Sequence, residues 1–292
     1  MLDNRNFFRE QLAKNDLLAA PMAGISTPPF RKLLREFHDG LIYTEMVSVE
    51  GTCRDNPKST EYLDMMEGDR PVVAQLFGGK SDSYAPAVEV AERYSAPDAY
   101  DVNMGCPVKK VIKTGGGSAL LLNLDSITRI VSKLRKATDR PFSIKIRIGW
   151  DESKPVYNEI LDIAQSEGAD AIILHARTRT QMFGGRIHYE ALAEMASRAT
   201  IPFIGNGDVC DYDSYKRMKE TGVDGVMIGR AMMNAPWIFQ AIREQKDPQS
   251  FLSPLQKYDL LMKLLDYSKE HAANDTNKLG HYMNILRKQA VW

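Results

Sequence analysis

A thiol, an amide and a tight-turn glycine stand together in Asp101-Val-Asn-Met-Gly-Cys106-Pro107, at the end of an apolar, strand-like run. Pro107 favours an extended conformation at Cys106 and removes the next backbone donor, so the thiol is expected on a loop rather than inside a helix. Asn103 can donate and accept hydrogen bonds, and the glycine lets a flat ligand approach the backbone. Taken alone, a Cys-Pro pair is more often a buried structural cysteine beside a turn, because free cysteine is among the most buried residue types. The rest of the chain decides between these interpretations.

Polar side chains also follow several other short apolar runs. Gln75 offers an amide that can pair with both donors and acceptors of a heterocycle. Alternation along a strand sends Lys145 and Arg147 to the same side, and inside a barrel a buried cation requires a partner charge or a ligand. His175 lies between an apolar run and two arginines, which favours a site residue over an ordinary core histidine. The small residues of Pro21-Met22-Ala23-Gly24 let the backbone approach a planar ring, although a tight turn is the simpler interpretation.

Two late segments predict a phosphate site. Gly205-Asn206-Gly207-Asp208 and Gly229-Arg230-Ala231 follow consecutive apolar runs. In a barrel, the loops after strands seven and eight bind phosphate through backbone N–H groups and a helix N-terminus. Together with the amide, the lysine, the histidine and the thiol, these segments suit a phosphorylated flat cofactor, for which FMN is the natural candidate. The sequence has no GxSxG, Walker A or HExxH motif that would indicate other chemistry.

The order of the predicted elements indicates an α/β protein with a (β/α)8 TIM barrel. Eight strand–helix units over ~230 residues fit the size of that fold, and several runs are apolar on both faces, as doubly buried strands should be. A doubly wound sheet is the main alternative, but it would usually carry a glycine-rich first turn. Strands are predicted at Leu17–Ala20, Leu41–Thr44, Val72–Phe77, Ala99–Asn103, Phe142–Ile148, Ala171–His175, Pro202–Gly205 and Gly225–Ile228. Helices are predicted at Asp82–Tyr94, Asp125–Ala137, Val156–Glu167, Tyr189–Ala199 and Asp211–Glu220.

The pattern changes towards the end of the chain, where only helical periodicity remains. We expect residues 1–243 to form the barrel and residues 251–292 to form a small all-helical domain. The polar segment Glu244-Gln-Lys-Asp-Pro-Gln-Ser250 would join them. An apolar stripe on the helical part comprises Leu255, Leu260, Leu261, Leu264 and Leu265.

The composition constrains the partners and the compartment. Lys+Arg and Asp+Glu are equal at 38 each in 292 residues, so any basic surface for a nucleic acid must be local. The hydrophobic fraction of 43% supports a substantial core. Cys53, Cys106 and Cys210 lack the spacing of a zinc site or a disulfide framework, which fits a reducing compartment and no bound metal. There is no signal-peptide core and no apolar run near the roughly 20 residues of a membrane span, so a cytoplasmic protein is expected.

In these segments the sequence resembles the tRNA-dihydrouridine synthases, and most closely their bacterial B-type members. The resemblance runs from residue 19 to the end of the predicted barrel, with a weaker match at Arg287-Lys288 in the tail. The matching segments are Ala20-Pro21-Met22-Ala23-Gly24, Glu45-Met46, Gln75, Asn103-Met-Gly-Cys-Pro107, Gly117-Ser-Ala-Leu-Leu121, Lys145-Ile-Arg147, His175-Ala-Arg-Thr-Arg179, Asn206-Gly-Asp208 and Gly229-Arg230.

This resemblance implies a barrel that binds FMN and a helical domain that helps to hold tRNA. Cofactor contacts carried over to this sequence are Pro21, Met22 and Ala23 along the flavin, Gln75 and Lys145 at its ring, and His175, Asn206, Gly207, Asp208, Gly229 and Arg230 towards its phosphate. The family's helical domain usually ends about 30 residues later than this chain does, so the helical domain is expected to be incomplete. A monomer is expected.

On the substrate side, the resemblance makes Cys106 the proton donor and makes Asn103 and Arg177 contacts to the uracil. NADPH, or NADH, would reduce FMN, hydride would pass from flavin N5 to C6 of the uracil, and Cys106 would protonate C5. The target base, a uridine of the D-loop, would be flipped out of the tRNA to lie on the flavin. Lys109 and Lys110 follow the cysteine motif and are expected to contact tRNA on the same face.

Three alternatives to this interpretation remain. An FMN barrel that acts on a free pyrimidine would share the cofactor loops but need neither a basic rim nor a helical tail. A non-redox barrel that binds a phosphorylated sugar would use the last two loops without Gln75 or Cys106. An RNA-binding protein that has lost its chemistry is disfavoured by the presence of Cys106, Lys145 and His175.

Overall fold

A closed barrel of eight parallel strands forms the centre of the protein. The computed structural model describes residues 6–54, 56–273 and 275–289. Each strand pairs with its neighbours in sequence order, and the last pairs with the first, which confirms the predicted (β/α)8 barrel. The strands are β1 (Leu17–Ala19), β2 (Ile42–Ser48), β3 (Val72–Phe77), β4 (Ala99–Met104), β5 (Phe142–Arg147), β6 (Ala171–His175), β7 (Phe203–Asn206) and β8 (Gly225–Ile228).

Helices surround the barrel and form the C-terminal part of the described chain. They are α1 (Phe7–Lys14), α2 (Pro28–Leu34), α3 (Val49–Thr52), α4 (Pro57–Thr60), α5 (Tyr84–Tyr94), α6 (Lys109–Ile112), α7 (Leu124–Ala137), α8 (Tyr157–Ser166), α9 (Tyr189–Arg198), α10 (Tyr212–Lys219), α11 (Arg230–Asn234), α12 (Ile238–Arg243), α13 (Pro254–Ala272) and α14 (Thr276–Gln289). The five helices predicted from amphipathic patterns correspond to α5, α7, α8, α9 and α10, with ends that shift by one or two residues.

Strand β2 is the one strand that extends well beyond its prediction. The pairing of β2 with β3 shifts by one residue between Tyr43 and Met46, which is a β-bulge. At the bulge, the Thr44 hydroxyl accepts a hydrogen bond from the backbone N–H of Gln75 at 3.1 Å and so replaces a ladder bond. The bulge breaks the two-residue alternation, and for this reason the pattern alone ended the strand too early.

An apolar cluster fills the barrel at the end where the strands begin. It includes Leu18, Tyr43, Val73 and Ile173, and Phe8 of α1 joins it with no exposed surface. Helix α1 therefore covers this end of the barrel, and a second, larger apolar cluster lies between the strands and the outer helices. The carboxyl ends of the strands are left as the open end, which is where barrels carry their chemistry.

The C-terminal helices pack against the barrel through α2. Leu260 and Leu264 of α13 are buried, as the predicted stripe requires, whereas Leu255 is 69% exposed and lies outside it. Lys263 forms an ion pair with Glu36 at 2.6 Å, just beyond the end of α2. The segment predicted as a linker is also tied to the barrel, because the indole N–H of Trp237 donates to the carbonyl of Pro248 at 2.7 Å. The predicted tail match at Arg287-Lys288 lies on α14, and the side chain of Lys288 falls outside the described part of the chain.

A buried ion pair joins α2 to the connection between β2 and β3. The guanidinium of Arg31 donates to the carboxylate of Asp69 at 2.9 Å, and both side chains are almost fully inaccessible to solvent. Arg31 also donates to the carbonyls of Ser26 and Asp64. Two charges in this environment are stable together, but either one alone would be left without compensation.

We expect Asp69→Ala to destabilise the fold by about 3–5 kcal/mol, because it leaves the Arg31 guanidinium buried without its counter-charge. The free energy of unfolding from urea titration measures this effect. The matched control is Asp162→Ala, which removes one partner of the exposed pair with Arg198; exposed pairs are usually worth less than about 1 kcal/mol. Equal losses in the two variants would show that burial of the Arg31 pair has no special cost.

Candidate active site

A cavity of about 610 Å³ opens at the carboxyl ends of the strands. Twelve of the residues predicted for the site line it: Pro21, Met22, Ala23, Asn103, Cys106, Lys145, His175, Asn206, Gly207, Asp208, Gly229 and Arg230. They come from the ends of six strands that are distant in sequence. The barrel therefore brings together in one cavity the residues that the sequence placed at successive strand ends.

Four other predicted site residues do not line this cavity. Gln75 is fully buried one layer beneath its floor, so a direct contact with a flavin ring stays a prediction. Arg177 is also buried, and its guanidinium is bound to Asp208 and to the carbonyl of Gly185. Its predicted contact with the uracil likewise stays a prediction. Lys109 and Lys110 are exposed on α6, directly after the loop that contains Cys106.

One amide oxygen organises the cavity wall formed by β5, β6 and β7. The side-chain oxygen of Asn206 lies 3.1 Å from Nζ of Lys145 and 2.7 Å from Nδ1 of His175. The other side-chain atom of Asn206, the nitrogen, donates to the carbonyl of Met227 at 2.7 Å. This arrangement fixes the orientation of the amide, so the oxygen must accept from both neighbours. Nδ1 of His175 therefore carries the proton, and Nε2 is the acceptor of a neutral ring.

Electrostatics keep this histidine neutral. Burial lowers the pKa of His175 well below its ordinary value, and the nearby charges of Lys145 and Arg147 lower it further. Burial also lowers the pKa of Lys145 to about 8, with Arg147 acting in the same direction. Nε2 of His175 is buried and has no hydrogen-bond partner within the described structure. A buried acceptor without a partner, beside a buried cation, fits a bound heterocycle that supplies both a donor and an acceptor.

The predicted phosphate end of the cavity is built by residues in unusual backbone conformations. Gly207 has φ +150°, and a Cβ there would lie 2.4 Å from Ile187, so only glycine fits this position. Asp208, at φ +50°, binds both Arg177 and Arg230 through its carboxylate. A Cβ added to Gly229 would make ordinary contacts with Ala20 at 3.7 Å and Met22 at 3.8 Å, both of which also line the cavity. The backbone at Gly229 and the Arg230 side chain beside it suit a phosphate group.

The loop that carries Cys106 is held by several hydrogen bonds. The backbone N–H of Cys106 donates to the side-chain oxygen of Asn103 at 2.9 Å, and Ser118 N–H donates to the Cys106 carbonyl at 3.0 Å. Arg147 donates from Nε to the carbonyl of Gly105 at 2.9 Å. Burial raises the pKa of the Cys106 thiol, against smaller opposite effects of the Val108 backbone, Arg147 and Lys145. The thiol is therefore protonated near neutral pH and can act as an acid.

Among the cavity residues that were not predicted as site residues, Arg147 and Phe183 bring the largest side chains to the region around Cys106. Arg147 lines the cavity next to Cys106, and the alternation that placed Lys145 inside the barrel was a sufficient signal for Arg147 as well. Phe183 also lines it, is 51% exposed, and has its ring 5.7 Å from the Arg147 guanidinium. Its position on the loop after β6 gave no periodic signal, so the sequence could not have singled it out.

Neither a metal site nor a membrane span is found in the described residues. Nowhere in residues 6–54, 56–273 and 275–289 do three or more His, Cys, Asp or Glu side chains cluster closely enough to hold a metal ion. Over the same residues, every helix is too short or too polar to cross a lipid bilayer.

Comparisons with known proteins identify the family of this chain. A family model described as dihydrouridine synthase matches residues 17–292. The chain is 36% identical over 281 residues to the tRNA-dihydrouridine synthase B of Pectobacterium carotovorum, covering 95% of this chain and 86% of that one. It is 34% identical over 282 residues to the tRNA-dihydrouridine synthase B of Escherichia coli (strain K12), covering 96% and 86%.

Solved structures share the fold at low identity. The old yellow enzyme from Trypanosoma cruzi superposes with a TM-score of 0.59 at 10% identity, over 79% of this chain and 88% of that one. Histamine dehydrogenase from Rhizobium sp. 4-9 superposes with a TM-score of 0.62 at 12% identity, over 87% of this chain. This chain spans only 49% of the histamine dehydrogenase chain. Identities this low establish the common barrel and nothing further.

The open end of the barrel holds a half-buried lysine, a neutral histidine acceptor and a protonated thiol, an arrangement that suits an enzyme with a flat heteroaromatic ligand. The family match covers nearly the whole sequence, and two relatives exceed 30% identity over most of their length. The chain belongs to the dihydrouridine synthase family. It is accordingly a flavin-dependent oxidoreductase.

We expect Asn206→Leu to lower the affinity for flavin by about tenfold or more, because it leaves the charged donor Lys145 without an acceptor and frees the His175 ring. The measurement is flavin absorbance per protein after gel filtration, followed by titration with added FMN. Thermal unfolding of the same sample checks that the fold is intact. Cys210→Ser is the matched control, since Cys210 also lines the cavity but has no contact with this wall. Flavin retention equal to that of the control would contradict the role assigned to Asn206.

Proposed function

We propose that this protein is a tRNA-dihydrouridine synthase that reduces the C5=C6 bond of a D-loop uridine in tRNA, with FMN as its cofactor and NADPH, or NADH, as its reductant. The observation that carries the proposal is the neutral Cys106 thiol, which lies in the same cavity as Lys145, His175 and Gly229. A cofactor cavity with an acid at its edge suits the addition of a hydride and a proton across a double bond.

The residues present fit FMN. Nε2 of His175 and Nζ of Lys145 would hold the polar edge of its ring, and Pro21, Met22 and Ala23 would line its apolar face. Gly229, Arg230, Gly207 and Asn206 would surround its phosphate. When bound, FMN would supply the hydride for the base after its reduction by NADPH or NADH. The protein supplies position and the proton.

The role of Cys106 follows from its environment. A protonated thiol is needed to donate to C5, and burial keeps the thiol of Cys106 protonated at higher pH than that of a free cysteine. Asn103 lines the cavity three residues before Cys106, and Arg147 lines it on the neighbouring strand. Both would bind the carbonyl edge of a uracil, and the predicted contact of Arg177 with the uracil stays untested.

The tRNA would lie across the rim of the cavity. Lys109 and Lys110 on α6 are exposed. Two other basic residues that follow β6 already have partners, since Arg179 stacks on Trp150 and Arg186 pairs with Glu190. A phosphate backbone resting on α6 would bring one flipped base to Cys106. The helices α13 and α14 would hold another part of the tRNA. We further propose that the protein acts in the cytoplasm, as a monomer.

A free pyrimidine is the second candidate substrate, because the cavity alone does not require a nucleic acid. The test uses the holoprotein with NADPH and compares unmodified tRNA with uridine and uracil, with dihydrouridine measured by mass spectrometry. Turnover of tRNA alone would support the proposal. Turnover of uridine or uracil at an equal or higher kcat/KM would show that the substrate is a small molecule rather than tRNA. The absence of turnover with all three compounds would overturn both candidates.

We expect Cys106→Ala to keep its flavin and its reduction by NADPH, but to lose about 10² to 10⁴ in the rate of uridine reduction, because the general acid is missing. Stopped-flow reoxidation of the reduced flavin by tRNA measures this step. In the wild type the rate should fall only above the ordinary cysteine pKa of about 8.5, since the acid form of a thiol with a raised pKa persists to higher pH. The variant should lack this alkaline decline. A wild-type rate in the variant would mean that water or another group donates the proton.

We expect the double variant Lys109→Ala/Lys110→Ala to bind tRNA more weakly and to reduce the slope of log Kd against log salt by up to about 2, one unit for each lost phosphate contact. Flavin content and NADPH oxidation should not change, because neither lysine lines the cavity. The control is Lys133→Ala/Lys136→Ala on α7, which removes the same charge elsewhere. If both double variants bind tRNA alike, α6 is not part of the docking surface.

A further inference from the structure

Asp101 is a buried ionisable group that the proposed chemistry does not use. It lies on β4 inside the barrel, is fully inaccessible to solvent, and does not line the cavity. The strand register places it beside Gln75 on β3 and Ser143 on β5, one layer below Asn103 and Cys106. An ionised carboxylate in such a place costs free energy unless hydrogen bonds and a nearby cation compensate it. The presence of a carboxylate at this buried position therefore needs an explanation.

A chain of hydrogen bonds runs from this carboxylate to the Cys106 loop. Nε2 of Gln75 donates to Oδ2 of Asp101 at 2.7 Å. Oε1 of Gln75 accepts from Nδ2 of Asn103 at 2.9 Å. Oδ1 of Asn103 in turn accepts from the backbone N–H groups of Gly105 at 3.2 Å and Cys106 at 2.9 Å.

The carboxylate sets the direction of this chain. An ionised carboxylate can only accept, so the Gln75 amide must present its nitrogen to Asp101 and its oxygen to Asn103. Asn103 must then present its nitrogen to Gln75 and its oxygen to the backbone of the Cys106 loop. The two backbone N–H groups fix the Asn103 oxygen at one end of the chain, and the carboxylate fixes the Gln75 nitrogen at the other, so both amides are held in one orientation.

We propose that Asp101 is a positioning residue that acts through Gln75 and Asn103 to fix the Cys106 loop and orient the Asn103 amide. The consequence for catalysis rests on the function proposed above, whereas the consequence for the Cys106 loop does not. Gln75 thus acts from beneath the cavity floor.

The surroundings of Asp101 match this role. Its second oxygen accepts from the Ser143 hydroxyl at 2.6 Å. The positive charge of Lys145 stabilises the ionised carboxylate. Burial raises the pKa of Asp101 to about 6, while Ser143, Gln75 and Lys145 oppose the rise. The two hydrogen bonds and the nearby ammonium group therefore favour the ionised carboxylate, which accepts from both neighbours.

The first test is Asp101→Asn in the FMN-loaded protein. Asparagine has the same shape but can turn either its oxygen or its NH₂ group towards Gln75, so the chain is no longer fixed at its buried end. We expect alkylation of Cys106 by iodoacetamide, followed by peptide mass spectrometry, to become several-fold faster as the loop loosens. Cys210, which is exposed, serves as the internal control for reagent activity. Single-turnover reduction of tRNA uridine should fall, by up to about 100-fold for a displacement near 1 Å.

The second test restores the direction without restoring the residue. In Asp101→Asn/Gln75→Glu, Asn at 101 donates to Glu at 75, whose other oxygen accepts from Asn103, and the total charge is that of the wild type. Cys106 alkylation should return close to the wild-type rate, and so should much of the tRNA reduction. Ser143→Ala is the matched control, because it removes a partner of Asp101 but leaves the chain to Cys106 intact; its alkylation rate should stay near that of the wild type.

Each outcome bears on the proposal. Wild-type alkylation in Asp101→Asn, or a double variant no better than Asp101→Asn, would overturn it. If Asp101→Asn does not fold, the double variant still decides, since the proposal requires it to fold and to show wild-type alkylation. If the wild-type protein fails to reduce tRNA, the proposed function is lost, but the alkylation results stand, because they need no substrate.

Discussion

A half-buried lysine dictates the arrangement of the polar residues at the open end of the barrel. Lys145 points inwards from β5, where the apolar layer beneath it excludes water. Its ammonium group needs an acceptor and a counter-charge, which Asn206 and Asp101 provide from β7 and β4. The same charge helps to keep His175 neutral and thereby leaves one ring nitrogen as an acceptor. The charge of Lys145 thus accounts for the acceptor at Asn206, the carboxylate at Asp101 and the neutral ring of His175.

The apolar layer also sets the chemistry of the thiol. Helix α1 covers one end of the barrel, and the polar residues at the other end line the cavity. Cys106 lies in the wall of this cavity, and its partial burial favours the uncharged thiol over the thiolate. A nucleophilic cysteine would require the opposite shift. The burial of the Cys106 thiol thus favours a role as an acid over a role as a nucleophile.

The sequence predicted the fold well, because doubly buried strands and amphipathic helices leave periodic signals that tertiary contacts do not alter. The prediction failed at β2, where a bulge interrupts the two-residue period. It also failed at Leu255, which belongs to the predicted apolar stripe but is exposed in the structure. For the site, strand ends identified the residues that line the cavity. They could not show that Gln75 lies beneath the floor, since its position depends on bonds to Asp101 and Asn103 that no sequence period reports.

The two arginines near the cavity show most clearly where periodic reasoning ends. Arg147 is the last residue of β5 and still follows the alternation of the strand, so it shares the inner face with Lys145. Arg177 lies two residues beyond the end of β6, after a tight turn in which its N–H donates to the carbonyl of His175 at 2.7 Å. The turn ends the alternation, and the Arg177 side chain instead binds Asp208 and Gly185. The cation next to Cys106 therefore comes from β5, and Arg177 supports the loop around it.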